Sequence, residues 1–261
     1  MRELERNFPH SPTSLPRDLT GVGVVGRGRL GTALAAALRD AGYRVAEPAG
    51  RGVVPPGDVL LLCVPDSEIA AAAQTVAGPA RFVGHTSGAT PLRALEASGA
   101  ELFGLHPLQT VTGAGARFAG CGCAVAGSTQ RALELAEQIA TDLDMVPFSV
   151  EDSQRAAYHA TASIASNFLV TLEAEAEALA ADAGIEGFDA RQMLGQLVRT
   201  TVENWISLGP ERALTGPVAR GDSATVAAQR AAIAARRPQL EPLFDALVER
   251  TEALAGRTVA V

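Results

Sequence analysis

The chain has 261 residues, long enough for two small domains or one large one, and its 47% hydrophobic content excludes a disordered protein. A formal net charge of −7 excludes a broad phosphate-binding surface, so nucleic acid is not an expected partner and any anionic ligand must be held locally. All 22 basic side chains are arginine, which excludes a lysine as general acid or Schiff base.

Residues 1–19 mix charges with Pro9, Pro12 and Pro16, lack the apolar segment of a signal peptide, and read as a flexible tail. No apolar run is long enough to span a bilayer, so no membrane association and a cytoplasmic location are expected. Cys63, Cys121 and Cys123 show neither a disulfide framework nor zinc-ligand spacing, and no metal is expected.

In chain order, residues 21–25 read as a short buried strand, followed by a glycine-rich turn and a helix over 29–41. Leu30, Leu34 and Leu38 give that helix its apolar stripe, and Gly42 stops it. A second strand is expected over 43–47, and the unbroken apolar run 58–64 predicts a central parallel strand covered on both faces. A helix (67–76), strand (81–85), helix (91–97) and strand (101–105) follow, then a strand (123–126), helix (129–143) and strand (145–149). Beyond about residue 150 only helices are predicted, over 153–183, 189–208, 224–236 and 238–255. The fold class implied is α/β, a doubly wound, mostly parallel Rossmann sheet over residues 20–150. An all-α domain for substrate binding and dimerisation follows over 151–261.

The turn Gly26-Arg27-Gly28-Arg29-Leu30-Gly31 is a G-x-G-x-x-G between a predicted strand and helix, the setting that makes this pattern informative. Its glycines permit the turn, the approach of a pyrophosphate and close helix–strand packing, and the helix N-terminus holds the phosphates. Glu47 stands where a ribose-binding acid would favour NAD, whereas Arg51 just beyond it suits the 2′-phosphate of NADP. NADP is the cofactor expected, with NAD the lesser alternative.

Three short motifs follow predicted strands and so fall on the rim where the nicotinamide must lie. They are Val64-Pro65-Asp66-Ser67, His85-Thr86-Ser87-Gly88-Ala89 and His106-Pro107-Leu108-Gln109-Thr110. Each has a structural alternative: a helix cap at Asp66 or Ser67, an ordinary turn at Ser87-Gly88, a loop start at His106-Pro107. The stretch 156–172 carries no carboxylate or arginine. Ala157, Ile164, Phe168 and Leu172 form its apolar stripe, while His159, Ser163, Ser166 and Asn167 share the other face, as expected for a helix lining a closed cleft or, alternatively, for a moderately polar surface helix. Further on, the Gly/Pro-bracketed loop 214–222 contains Thr215 and presents Arg220, whose planar fork suits a carboxylate, with Asp222 or Ser223 capping the next helix.

Together, GVVGRGRLGTAL, VPDSEI, HTSGA, HPLQT, SNFLVTL and LTGPVARGD resemble a bacterial family with a Rossmann-like N-terminal domain and a helical C-terminal domain of unknown function (DUF2520). The resemblance covers about residues 20–255. That family is similar to the 6-phosphogluconate-dehydrogenase-like enzymes, among them ketopantoate reductase and pyrroline-5-carboxylate reductase. It implies an NADP(H)-dependent oxidoreductase acting on a small anionic carbonyl substrate, with ketopantoate (2-dehydropantoate) in pantothenate biosynthesis preferred, and a homodimer formed through the C-terminal helices. On this reading His106 or His159 is the acid, Asn167 and Ser87 hold the carbonyl or hydroxyl, Arg220 holds the carboxylate, and Thr215 and Gln109 also bind substrate. The lack of lysine departs from ordinary ketopantoate reductases, which use one as acid, and makes histidine the natural substitute. Reduction of a cyclic imine, or a dinucleotide-binding sensor without chemistry, are the rival readings.

Overall fold

Short runs of valine and leucine are the frame of this protein, because strands buried on both faces need apolar side chains in both directions. The computed structural model describes residues 21–78, 80–113 and 115–257, so the expected tail at 1–19 lies outside the described residues. Six strands form one sheet in sequential order: β1 (Val22–Val25), β2 (Val59–Leu62), β3 (Phe82–His85), β4 (Glu101–Pro107), β5 (Gly122–Gly127) and β6 (Val146–Ser149). All neighbours are parallel except β4 and β5.

Helices α1 (Arg29–Asp40) and α3 (Gln130–Asp142) cover one face, where Leu34, Leu38, Phe103, Leu105 and Ile139 form the larger core. Helix α2 (Ile69–Thr75) and a 3-10 turn (Leu92–Ser98) cover the other, over Leu60, Leu62, Val83 and Leu95. The sheet is therefore doubly wound, as the alternating pattern implied.

Residues 43–47, expected to form the second strand, do not. Two isolated bridges, Val22 to Val45 and Val25 to Ala49, are all that pairs with β1 on that side. The reason is local. Arg39 takes the carbonyls of Val45 (3.0 Å) and Ala46 (2.8 Å), and Pro48 has no N–H to offer a ladder. The bridges nevertheless put this segment and β2 on opposite sides of β1, which opens a crevice at its carboxyl end.

Two further expectations shift. The helix over 91–97 is a 3-10 turn, and β4 runs to Pro107 rather than ending at Leu105, because antiparallel β5 pairs His106 with Ala124 and Pro107 with Cys123. His106 thus sits in a strand and not at the start of a loop.

The segment expected as one helix over 153–183 is a 3-10 turn (Asp152–Gln154), α4 (Arg155–Ala162), a π-helical turn (Ser163–Asn167) and α5 (Phe168–Asp182). The wider π turn shifts the phase of the helix, so the even spacing assumed for the apolar stripe does not hold through it. Ile164 and Phe168 of that stripe are 65% and 56% exposed.

The chain divides into two compact units, Met1–Ile164 and Ala165–Val261. The second contains α5, α6 (Gly187–Leu208), α7 (Pro210–Ala213), α8 (Ser223–Arg236) and α9 (Glu241–Arg257). Asp222 caps α8, accepting the N–H of Thr225 at 3.1 Å. Arginine–carboxylate pairs tie the helices, Arg237 to Asp182 (2.6 Å) and Arg230 to Asp245 (2.8 Å) among them. Among the described residues of this unit the buried apolar side chains are Ala190, Ile233 and Leu240, while Val170, Phe188 and Ile206 are 70% or more exposed. No helix among the described residues is long and apolar enough to cross a membrane.

Candidate active site

The carboxyl ends of β1 and β2 open into a pocket of about 560 Å³ lined by Gly26, Arg27, Gly28, Arg51, Val64 and Pro65, among others. Gly26 has φ +118°, and a Cβ there would collide with the Cys63 carbonyl; one at Gly31 would collide with the Gly26 carbonyl. Both glycines are dictated by packing. Gly28 is different: a Cβ there meets nothing within 4 Å, and its ψ of 179° is extended backbone open to any residue. A side chain at Gly28 would fill only the cradle in front of α1, where backbone N–H groups are free to receive phosphate oxygens. The residues present therefore fit a dinucleotide.

The remaining cofactor candidates fall into place unequally. Arg27 is pinned by its Nε–H to the Pro48 carbonyl at 2.9 Å. Arg51 is largely exposed and pairs with Glu68 at 2.7 Å, both in the pocket wall. Arg29, the first residue of α1, is exposed, and Leu30 packs against the larger core; neither lines the pocket. Glu47 is held by Arg39 at 3.1 Å, is 89% exposed in its side chain, and is absent from the pocket wall.

A second cluster lies on the α2 face of the sheet. His106 Nδ1 is 2.7 Å from the Tyr158 hydroxyl of α4, and Phe148 packs edge-on against Tyr158. His159 is exposed, its ring centroid 6.3 Å from that of His106. Gly88 is required here, since a Cβ would come within 2.8–3.0 Å of the His106 ring. Burial, with the neighbouring His159 second, brings the His106 pKa down to about 4, while Asp66 pulls the other way. Burial likewise lowers His85 to about 4, aided by Arg155 and opposed by Asp66, so both rings are neutral at pH 7. Tyr158 is pushed up to about 12, chiefly by burial.

The HTSGA loop is built on His85 and Ser87. Ser87 N–H donates to His85 Nδ1 at 3.2 Å. Ser87 Oγ accepts from the N–H groups of Ala89 (3.2 Å) and Thr90 (2.9 Å) and donates to Thr90 Oγ1 at 2.9 Å. That hydroxyl shapes the turn, with its hydrogen-bonding capacity in use. Gln109 also acts locally, donating to the Arg117 carbonyl (3.0 Å) and accepting from Thr110 N–H (2.8 Å). Asp66 opens a 3-10 turn without capping it.

Of the sequence candidates, the first unit thus brings together Asp66, Ser87, His106 and His159. Asn167, Thr215 and Arg220 belong to the second unit. All three are exposed, and Arg220 has no side-chain hydrogen bond or ion pair among the described residues. Sequence reasoning missed Tyr158, Glu68 and Arg155. Tyr158 carried a signal as the neighbour of His159, and Arg155 stands three residues after Asp152, the spacing of a helical ion pair.

Residues 121–251 match the family model described as a domain of unknown function (DUF2520). The chain belongs to this family. No curated protein matches the DUF2520 chain in sequence. Among solved structures it is similar to a Bacteroides fragilis protein described as an NADP oxidoreductase, with 22% identity and a TM-score of 0.77, over 90% of this chain and 98% of that one. The Thermotoga maritima protein TM1727 is similar at 22% identity and a TM-score of 0.74, over 91% and 99% of the two chains. A 1-pyrroline-5-carboxylate reductase from Streptococcus pyogenes shares 11% identity and a TM-score of 0.63, over 89% and 98%. At these identities the DUF2520 protein shares a Rossmann-type fold with all three.

Proposed function

We propose that this protein is an NADP(H)-dependent reductase of a small carbonyl acid, acting in the cytoplasm as a homodimer. The observation that carries the reading is the His106–Tyr158 pair, 2.7 Å apart, in the unit that also holds the glycine cradle. When bound, the cofactor supplies a hydride to the carbonyl carbon. The Gly26–Gly31 turn would receive the phosphates on backbone N–H groups, and Arg51, with Arg27, would hold the 2′-phosphate. As the carbonyl oxygen takes the proton of His106 Nε2–H, Nδ1 takes that of Tyr158 O–H; a solvent proton then returns to Nε2 and the Nδ1 proton to the Tyr158 oxygen, which restores the starting tautomer. A neutral imidazole with a hydroxyl behind it thus does the work of the missing lysine.

Ketopantoate is the preferred substrate, on the strength of the sequence resemblance. A cyclic imine such as pyrroline-5-carboxylate is the second reading, favoured by the likeness in fold to the Streptococcus pyogenes enzyme. An iminium arrives already protonated and needs no acid, so a built proton donor favours the carbonyl. The homodimer is supported by the apolar side chains that the second unit leaves exposed, Phe188, Leu197 and Ile206 among them.

The test is NADPH oxidation against a panel of 2-keto acids, ketopantoate included, and cyclic imines. Turnover of keto acids supports the reading, and turnover of imines alone selects the second. NADPH binding with no turnover would leave a dinucleotide sensor.

A further inference from the structure

Arg155 is the one arginine or carboxylate residue that is buried among the described residues, at 4% exposure. It opens α4 and donates Nε–H to Asp152 at 2.6 Å. Its two terminal nitrogens make no hydrogen bond among the described residues. A guanidinium carries five N–H donors, and holding a cation largely out of water with only Nε paired is costly. Such an arrangement calls for a partner from outside the chain.

The surroundings of the guanidinium point to the same conclusion. Its Nη2 lies 3.8 Å from where a Cβ would stand on Gly104, with Leu92 Cδ2 at 3.6 Å and Ala126 Cβ at 3.7 Å from the same point, so the guanidinium packs over β4. Gly104 is in register with His85 on β3, and His106 follows two residues along β4, so all three present to one face of the sheet. His85 Nε2 is wholly buried and has no hydrogen-bond partner. Because Nδ1 accepts from Ser87 N–H, the neutral ring carries its proton on Nε2, the one wholly buried polar side-chain atom without a partner among the described residues. The Pro91 carbonyl is near that ring without hydrogen-bonding it. Of the neighbouring carboxylates, Asp152 is engaged with Nε, and Asp66 acts on both histidines through its charge.

We propose that the Arg155 guanidinium and His85 Nε2–H form the subsite for the substrate's carboxylate. The 2-oxo group then falls to His106, one step along the same strand face. This rests on the reductase reading and transfers to Arg155 the role that sequence reasoning gave to Arg220. Arg155 and His106 both lie in the first unit, so the anchor and the proton donor have a fixed spacing set by β4.

The test uses oxalate, a small dicarboxylate that needs no turnover, titrated into the NADPH-loaded protein and followed by nucleotide fluorescence. Arg155→Met is expected to weaken oxalate at least tenfold while leaving NADPH affinity within twofold, since about 1.4 kcal/mol is one decade and a charged hydrogen bond contributes at least that. Arg155→Lys keeps the charge and should recover part of the loss, and added guanidinium ion should restore oxalate binding to the Met variant. Circular dichroism and a thermal melt on both variants separate misfolding from loss of the subsite, with the Lys variant deciding if the Met variant is unfolded. Oxalate binding that survives in Arg155→Lys and Arg155→Met but is lost in Arg220→Ala would overturn the proposal, as would a wild type that binds no oxalate. Because oxalate is not reduced, failure of the reductase reading would show separately, as absence of NADPH oxidation with any carbonyl acid.

Discussion

The Tyr158 hydroxyl and His106 Nδ1 lie 2.7 Å apart, which joins the first turns of α4 to the end of β4 through two titratable groups. With its pKa lowered to about 4 by burial, His106 stays neutral across the physiological range. The pH profile of kcat/KM for a keto acid should therefore lack the inflection near pH 6.5 of an ordinary histidine acid. Tyr158→Phe should lower kcat about tenfold to a hundredfold with little change in KM, and His106→Gln by about 10²–10⁴. A wild-type inflection near pH 6.5 would take the proton-donor role away from the buried His106 imidazole.

Gly28→Val should fold normally, since its Cβ position is empty, yet lose NADPH affinity by at least about tenfold through occlusion of the phosphate cradle. Gly26→Ala should fail earlier, in the melt itself, because its Cβ meets the Cys63 carbonyl at positive φ. Equal NADPH affinity for wild type and a folded Gly28→Val would move the cofactor elsewhere.

The Arg51–Glu68 pair at 2.7 Å means that a 2′-phosphate must compete with a carboxylate for its cation. Arg51→Ala should erode a preference for NADPH over NADH by about tenfold, the value of roughly 1.5 kcal/mol from a charged hydrogen bond. Glu68→Gln should do the reverse and tighten NADPH. Titration of both nucleotides by fluorescence checks the two variants, and a preference for NADH in the wild type would return the assignment to Glu47.

His85 gives a pH-dependent stability. Its pKa is lowered to about 4 in the fold from 6.5, so the unfolded chain takes up the proton first. The contribution is complete above pH 6.5 and is lost as the pH falls from there towards 4, by at most roughly 3.5 kcal/mol at about 1.4 kcal/mol per unit. His85→Asn, whose amide oxygen can still accept from Ser87 N–H, should flatten the fall in Tm over that window. An unchanged slope would mean that other groups govern acid sensitivity.

For the homodimer, Ile206→Glu on α6 places a charge on a side chain that is 70% exposed in the single chain. Light scattering at micromolar concentration should report a dimer for the wild type and a lighter species for the variant. A monomeric wild type would refute the assembly.

The parts of this protein that local rules govern were legible in its sequence. The glycine turn, the unbroken VLLL run and the Asp222 cap each follow from a handful of adjacent residues. The second strand was not, because Arg39 removes the carbonyls of Val45 and Ala46 from sheet pairing, and an arginine on the preceding helix gives no sign of that reach. The site divides in the same way. His106 and Asp66 announced themselves by motif, whereas Arg155 looked like any helix-opening arginine. Its meaning depends on Gly104, which lies 51 residues earlier in the chain and only becomes its neighbour in the folded sheet. Ser87 and Gln109 were chosen for their chemistry, and the folded loops put that chemistry to use on their own backbones.

The reversal of β5 has a consequence for how the site is assembled. Parallel pairing with β3 ends at His85 and Gly104, and only the antiparallel partner carries β4 on through His106 and Pro107, closed by Leu108 N–H on the Gly122 carbonyl at 2.7 Å. The imidazole therefore belongs to the cooperative core of the sheet and not to a loop ordered by its ligand. Deuterium should enter the backbone amides around Leu105–Leu108 as slowly as those of the central strands, with or without nucleotide, because opening them requires unzipping the sheet.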